Sequence, residues 1–330
     1  ILMKIIVTGG AGFIGSNLVD KLVLFGHDVT VIDNFITGNI KNLNKSKKKI
    51  KIIKKNILDK NLKKYFKNID CVFHLAGLAD IVPSIENPSK YFDSNVAGTI
   101  SLLELARKYK VRQFIYAASA SCYGVPKKYP ISETDKIDIR YPYALTKNLG
   151  EKLVMHWGKI YNINTISTRF FNVYGRRSRT TGAYGAVFGV FLAQKLNNKP
   201  LTIVGDGSQT RDFIHIDDLV EALIKIMKYS NTNKCDIFNI ASGKEISIKT
   251  IAKLIGGKTV NIPKRPGEPD RSLADIKKIK RKLNWKPRIS IEDGVKDLIK
   301  NIDDYRKAPI WTPKKIKKAT KQWFKQLKGK

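Results

Sequence analysis

Apolar residues in this chain fall into two alternating kinds of run. Short blocks rich in Ile, Val and Phe, at about 4–8, 28–32, 50–54, 69–74, 112–118 and 165–170, have the length of buried strands. Between them, at about 14–25, 90–108 and 144–161, apolar positions recur every three or four residues, the period of a helix with one buried face. Strands and helices in alternation predict an α/β fold, a doubly wound parallel sheet covered on both faces. After Gly175 the segments shorten, with turn-rich breaks at Asn197 to Pro200, Gly205 to Gly207 and Pro263 to Pro269 and helices expected near 217–228, 247–254, 274–283 and 291–304. This part reads as a smaller mixed α/β C-terminal lobe that closes a cleft. The expected division is therefore residues 1–175 and 176–330, with some strand or helix returning to the first domain. The lysine-rich stretch 41–55 reads as a mobile surface loop. Trp323, Phe324 and Leu327 suggest a docked helix in the tail.

With 330 residues, 42% of them apolar, the chain can bury a large core. No apolar run approaches the roughly 18–20 residues needed to cross a bilayer, and the N-terminus has no charged-then-apolar signal pattern. The expectation is a cytoplasmic protein with no membrane span. Cys71, Cys122 and Cys235 are widely spaced and form neither a disulfide framework nor a zinc pattern, and the four histidines are scattered, so no metal site is expected. A formal charge of +34 raises nucleic acid as a partner. The lysines are spread through 45–55, 60–67, 277–282 and 314–330, which argues for a generally basic surface and no nucleic acid; such a field draws in a nucleotide diphosphate.

Two motifs carry chemistry. Thr8-Gly9-Gly10-Ala11-Gly12-Phe13-Ile14-Gly15 joins the strand of Ile5, Ile6 and Val7 to an amphipathic helix bearing Leu18, Val19, Leu22 and Val23, the setting in which a dinucleotide pyrophosphate rests on a helix N-terminus. Tyr143-Ala144-Leu145-Thr146-Lys147 sets a phenol and an ammonium one helical turn apart, so Lys147 can bias Tyr143 toward phenolate and Tyr143 can trade a proton with a substrate hydroxyl. A tyrosine four residues before a lysine is by itself a common solvated helix face; the glycine turn and the intervening Ser119 change its weight.

With these motifs the chain resembles the extended short-chain dehydrogenases/reductases, and within them the NAD-dependent nucleotide-sugar epimerases and dehydratases, nearest the UDP-glucose and UDP-N-acetylglucosamine 4-epimerases. The resemblance runs through TGGAGFIGSNL at 8–18, Asp33-Asn34, His74-Leu75-Ala76-Gly77, Asn95 to Thr99, Ser119 to Gly124, Tyr143 to Lys147, Arg169 to Gly175, Gly205 to Asp212 and Arg265 to Glu268. It implies a Rossmann domain over 1–175 and a mainly substrate-binding lobe over 176–330. It also implies a cofactor site of Gly9, Gly12, Phe13, Ile14, Gly15, Asp33, Asn34, Thr37, Gly38, Asn56, Ile57, Leu75, Ala76, Gly77, Asn95, Tyr143, Lys147 and Phe171. Asp33, placed to accept from both adenine ribose hydroxyls and to repel a 2′-phosphate, favours NAD over NADP. One departure is Asn56, where the family commonly carries an acid near the adenine, with Asp59 three residues on.

The implied catalytic residues are Ser119, Tyr143 and Lys147. Tyr143, its pKa expected to be lowered by Lys147 and the nicotinamide, would take the sugar hydroxyl proton while hydride leaves the same carbon. Family dehydratases carry Asp-Glu after the serine and the decarboxylases a Glu two residues on, whereas this chain has Ala120 and Ser121. Elimination and decarboxylation are thereby disfavoured and epimerisation at C4 remains. The implied UDP-sugar site takes Ser119, Ser121, Asn172, Val187, Thr202, Arg211, Arg265, Glu268 and Ser272, the last being small enough to admit a 2-acetamido group. The arginine-rich segment Arg176 to Tyr184 matches loops of epimerases preferring UDP-N-acetylglucosamine and could equally suit a uronate. UDP-glucuronate 4-epimerase, a dehydratase or decarboxylase, and outside enzymes a nucleic-acid-binding relative of the fold, are the alternatives. The family commonly forms a homodimer through two helices; Leu102, Leu103, Leu149 and Leu153 permit that reading and equally suit packing on the sheet.

Overall fold

The structure is a computed structural model and describes residues 2–180, 186–229 and 235–327. The strands are β1 (Lys4–Thr8), β2 (Asp28–Asp33), β3 (Ile50–Lys54), β4 (Cys71–His74), β5 (Gln113–Ser119), β6 (Asn164–Phe170), β7 (Asn172–Tyr174), β8 (Leu201–Val204), β9 (Thr210–His215), β10 (Cys235–Ile240), β11 (Glu245–Ser247) and β12 (Thr259–Ile262). Seven form one sheet in the order β10-β6-β5-β4-β1-β2-β3, every pair parallel. Side chains alternate across it as the two-residue period of a strand requires. Ile5 and Val7 of β1 enter one apolar cluster with α1 (Phe13–Leu24) and α7 (Ile216–Lys228), while Ile6 joins α4 (Gly98–Lys108) and α5 (Pro142–Tyr161) on the other face. This is a doubly wound Rossmann-type α/β fold. The order reverses between β1 and β4, so their C-terminal ends part and open the crevice in which such sheets bind ligands.

The second lobe carries two small sheets. β8 pairs with β12, and β9 lies between β7 and β11. Phe188, Phe191, Leu201, Phe213, Ile251, Val295 and Leu298 fill a separate core under α6 (Val187–Leu196), α8 (Ile248–Ile255) and α10 (Ile291–Lys300). After residue 176 the chain returns to the first sheet through α7, through β10, which pairs with β6, and through α9 (Lys277–Leu283), where Ile276, Ile279 and Trp285 enter the same core.

One expectation is corrected and two are sharpened. The helix expected over 90–108 is present and runs without a gap through α3 (Pro88–Phe92), a π-helical turn at Asp93–Ala97, and α4; a π turn inside helical chain commonly marks a functional position, and here it presents Asn95. The stretch 41–55 is no loose loop: Leu43 is fully buried, the Ser46 hydroxyl donates to Asp20 at 2.5 Å, and β3 closes the sheet edge. Leu102 and Leu103 face the sheet with no exposure, so they are core residues and offer nothing to a partner. The tail forms α11 (Pro313–Ala319) and α12 (Lys321–Leu327), and Trp323 and Leu327 pack on Val82 of α2 (Ile81–Glu86).

Candidate active site

The glycine turn is forced by backbone proximity. Gly9 has φ +69°, and a Cβ there would lie 2.7 Å from the Ala76 amide nitrogen; one on Gly15 would lie 2.2 Å from the Gly9 carbonyl oxygen. The turn thus lets β1, α1 and the Leu75 to Gly77 loop approach closely. The helix starts at Gly12 with no side-chain cap, leaving first-turn amides for an anion. Asp33 closes the far end. It is buried, its carboxylate accepts from the amides of Ala11 (2.9 Å) and Phe35 (2.8 Å), and desolvation raises its pKa against those two bonds. Gly38 passes so near that a Cβ would sit 2.9 Å from the carboxylate, while Asn34 and Thr37 are exposed at the rim. Asn56 is exposed, and Ile57 is buried against Gly98. The residues fit a dinucleotide by their own geometry: a backbone cradle at an uncapped helix, and a held carboxylate one strand away.

Asn95 behaves differently from a ligand contact. It is 1% exposed; its side-chain oxygen accepts from Leu78 N (2.8 Å), and its amide donates to Leu78 O (2.9 Å) and to the Thr146 hydroxyl (3.0 Å). It fastens the loop after Gly77 to α5 and so positions Tyr143 and Lys147. His74 serves the same region from behind: its two ring nitrogens bond Thr8 (2.8 Å) and Thr99 (3.0 Å), and burial lowers its pKa to about 3, keeping it neutral.

Tyr143 and Lys147 project from the first two turns of α5, and Ser119 ends β5 beside them. Burial pushes the Tyr143 phenol up, while the Ser119 hydroxyl pulls it back. This corrects the expectation of a phenol lowered by Lys147: in the protein alone, desolvation dominates and the charge of Asp80 adds to it. Lys147 is 7% exposed, its Nζ lies 4.7 Å from the Tyr116 ring centroid, and burial lowers its pKa to about 8. The Nζ approaches the Gly77 position, on the cradle side of the cleft. The Ser119 oxygen also accepts from the Ser121 amide at 3.2 Å, opening the turn that holds Ser121. The Ser121 hydroxyl is buried beside the Tyr141 phenol without closing a well-formed bond to it.

The second lobe meets this trio through Tyr141, whose ring stacks on Tyr143 at 6.4 Å and 6° and which feels the charges of Glu268 and Arg211. Arg265 Nε donates to Glu268 at 3.0 Å, with Arg211 3.9 Å from the same carboxylate. Arg265 lies over Trp323, whose indole donates to Pro266 O at 2.8 Å, so the tail helix braces this loop. Asn172 is exposed at the start of β7, Phe171 is buried before it, and Val187 opens α6 half-buried. Thr202 is buried, its hydroxyl and amide both taken by the Gln194 side chain (2.8 and 3.1 Å), so it shapes a wall without offering a polar group. Ser272 is half-buried on the segment that follows Glu268.

Behind Ser119 lies a buried network that the motifs do not announce. Arg169 and Glu151, both 4% exposed, pair at 2.6 Å, Ser167 donates to Glu151 at 2.7 Å, and Arg169 also holds the Tyr123 phenol at 2.7 Å. Asp80 was not singled out by sequence either, yet it pairs with Arg179 of the arginine-rich segment at 2.6 Å and raises the pKa of Tyr143. Asp80 carries no motif of its own, since a lone aspartate ahead of a short helix reads as a cap. Residues 181–184 of the arginine-rich segment lie outside the described residues. Among the described residues no cluster suited to a metal ion occurs, and no helix is long and apolar enough to cross a membrane.

A glycine cradle facing a phenol, a hydroxyl and a lysine across the switch point of a parallel sheet defines an extended short-chain dehydrogenase/reductase. The chain belongs to the family of GDP-mannose 4,6 dehydratases, whose pattern it matches over residues 6–298. It is 38% identical over 304 residues, 89% of this chain and 97% of the other, to a Methanocaldococcus jannaschii protein provisionally described as a UDP-glucose 4-epimerase. It is 33% identical over 314 residues, 92% of this chain and 70% of the other, to UDP-glucuronic acid decarboxylase 1 of Arabidopsis thaliana. Among solved structures, UDP-glucuronic acid 4-epimerase of Bacillus cereus, in complex with UDP-glucuronic acid and NAD, superposes with a TM-score of 0.85 at 32% identity, covering 92% of this chain and 99% of that one.

Proposed function

We propose that this protein is an NAD-dependent nucleotide-sugar 4-epimerase acting on a UDP-hexose, with UDP-N-acetylglucosamine and UDP-N-acetylgalactosamine, or UDP-glucose and UDP-galactose, as the pair it interconverts. The observation that carries this reading is the content of the pocket around Tyr143. A phenol, a hydroxyl and a buried lysine adjoin the dinucleotide cradle, while the two positions after Ser119 are Ala120 and Ser121, neither of which can abstract a carbon-bound proton.

The nicotinamide, when bound, supplies a reversible hydride acceptor. The protein's own work is proton transfer and positioning. Tyr143 removes the proton of the sugar 4-hydroxyl and later returns it, and Ser119 hydrogen-bonds the same oxygen. Lys147, largely protonated below pH 8, lowers the cost of the phenolate. Arg211 and Arg265 grip the diphosphate, with Asn172 beside them, and Glu268 takes the uridine ribose. The keto-sugar turns over within the pocket and is reduced on its other face, so no net oxidation results. A small Ser272 leaves space at C2 for an acetamido group. A homodimer through α4 and α5 belongs to this reading. Its face would use the half-buried Leu149 and Leu153 together with Ile100, which is 36% exposed.

Proton NMR of the purified protein with UDP-glucose, UDP-N-acetylglucosamine and UDP-glucuronate in turn, without added reductant, tests the proposal. A galacto-configured anomeric signal from a UDP-hexose is expected. A dehydrated 4-keto sugar or a pentose in its place would move the assignment to dehydration or decarboxylation.

A further inference from the structure

Three arginines follow β7, and each is paired with a carboxylate. Arg176 makes a bidentate contact with Asp217 of α7 (2.8 and 2.6 Å), and Arg177 contacts Asp20 of α1 (2.7 Å). Those two partners belong to helices on the side of the sheet away from α5. Arg179 is placed differently. Its Nη1 lies 2.6 Å from Asp80, on the loop that leaves the cofactor cradle after Gly77. Asp80 stands two residues after Leu78, which Asn95 ties to Thr146 of the helix bearing Tyr143, and its charge acts on both Tyr143 and Tyr91, with Arg179 acting on Tyr91 as well. The pair therefore joins a Rossmann-side loop to the segment that carries Asn172, beside the place where the hexose ring must lie for Tyr143 to reach its hydroxyl.

We propose that Asp80 is a specificity-determining residue: its carboxylate holds Arg179 as a counter-ion beside the sugar and discriminates against nucleotide sugars whose hexose itself bears a negative charge. The inference rests on the nucleotide-sugar reading above and refines it. Asp80 precedes α2 at its cap position, yet its side chain makes no capping bond, so local helix chemistry does not demand an acid there. The chain as a whole carries +34, so attraction of anions is not in short supply; an acid at this spot works against that field locally. A sugar with a neutral hydroxymethyl or acetamido group leaves the pair intact. A uronate must either approach Asp80 as a like charge or displace it from Arg179, stranding a partly buried carboxylate without its partner. The repulsive element is thus built in beside the attractive one.

The test compares the purified enzyme with NAD bound, the Asp80→Asn variant and the Asp80→Asn/Arg179→Gln double variant. Affinity for UDP-glucuronate and for UDP-N-acetylglucosamine is measured by titration calorimetry, with turnover of both followed by NMR. Asn is isosteric with Asp and the site is half-exposed, so the fold is retained, checked by circular dichroism. The expected result is that Asp80→Asn raises the preference for the uronate over the neutral sugar by about tenfold, equal to about 1.4 kcal/mol, and that the double variant loses this gain because no arginine remains to receive the carboxylate. An unchanged preference in Asp80→Asn, or a gain that persists in the double variant, would overturn the role of the pair. Absence of epimerisation of any UDP-hexose by the unaltered enzyme would instead overturn the parent reading, and the ratio of affinities would still report on Asp80.

Discussion

Replacing Tyr143 with Phe removes one oxygen atom from the centre of the proposed chemistry. In the folded protein that hydroxyl has one favourable neighbour, Ser119, and sits where burial opposes its ionisation. Losing a single neutral hydrogen bond costs stability of about 1 kcal/mol, and the ring keeps its stacking on Tyr141. The catalytic cost is far larger, because neither Ser119 nor Lys147 can serve as the proton carrier: the serine hydroxyl ionises too weakly and the lysine, with its pKa near 8, is mostly charged at neutral pH. General acid–base catalysis accounts for roughly 10²–10⁴ in rate, or about 2.7–5.4 kcal/mol of barrier. The expected outcome is a kcat lowered by at least two orders of magnitude, with unchanged circular dichroism, a melting midpoint within a few degrees and undiminished binding of NAD and UDP-sugar. The assay is NMR-detected epimerisation at saturating substrate. A variant keeping more than a tenth of the original kcat would refute the assignment of Tyr143 as the proton carrier, and loss of activity together with loss of fold would refute the claim that the hydroxyl is structurally dispensable.

Gly15→Ala places a Cβ against the Gly9 carbonyl, so the turn must open; binding of NAD, read by fluorescence titration, should weaken at least tenfold while the sheet remains folded. Glu151→Gln leaves Arg169 buried without its counter-charge and should cost about 3–5 kcal/mol in urea unfolding; a loss below 1 kcal/mol would mean the network is not stabilising. His74 is held neutral with a pKa of about 3, below that of the unfolded chain. Its contribution is therefore complete above about pH 6.5 and falls by at most about 1.4 kcal/mol per pH unit as the pH drops toward 3. Urea midpoints measured from pH 7 to 4 should fall less steeply in His74→Gln, and equal slopes would exclude His74 as the source.

The strand positions of the parallel sheet, the glycine cradle and the Tyr143 to Lys147 pair were legible in the chain because each depends on neighbours in sequence. A buried parallel strand writes itself as an apolar block, a turn too tight for a Cβ requires glycine, and a shared helix face follows from a spacing of four. The proposed chemistry of the site rests on similar terms, on the resemblance of ordered blocks and the absence of an acid after Ser119. Whatever depends on residues distant in sequence was not. Nothing local in Asn95 says that its amide is consumed by Leu78 and Thr146, or that the helix holding it widens into a π turn there. Leu102 looks as fit for a partner subunit as for the sheet until the sheet is seen beneath it. The sign of the shift at Tyr143 is likewise a tertiary fact: spacing brings Lys147 near, but the amount of water removed from the phenol depends on how β5, α5 and the Asp80 loop close around it. Asp80 and Arg179, 99 residues apart, meet only because the segment after β7 folds back over that loop. Short-range geometry is encoded by short-range pattern, whereas burial and long-range charge pairing are set by the way the two lobes pack.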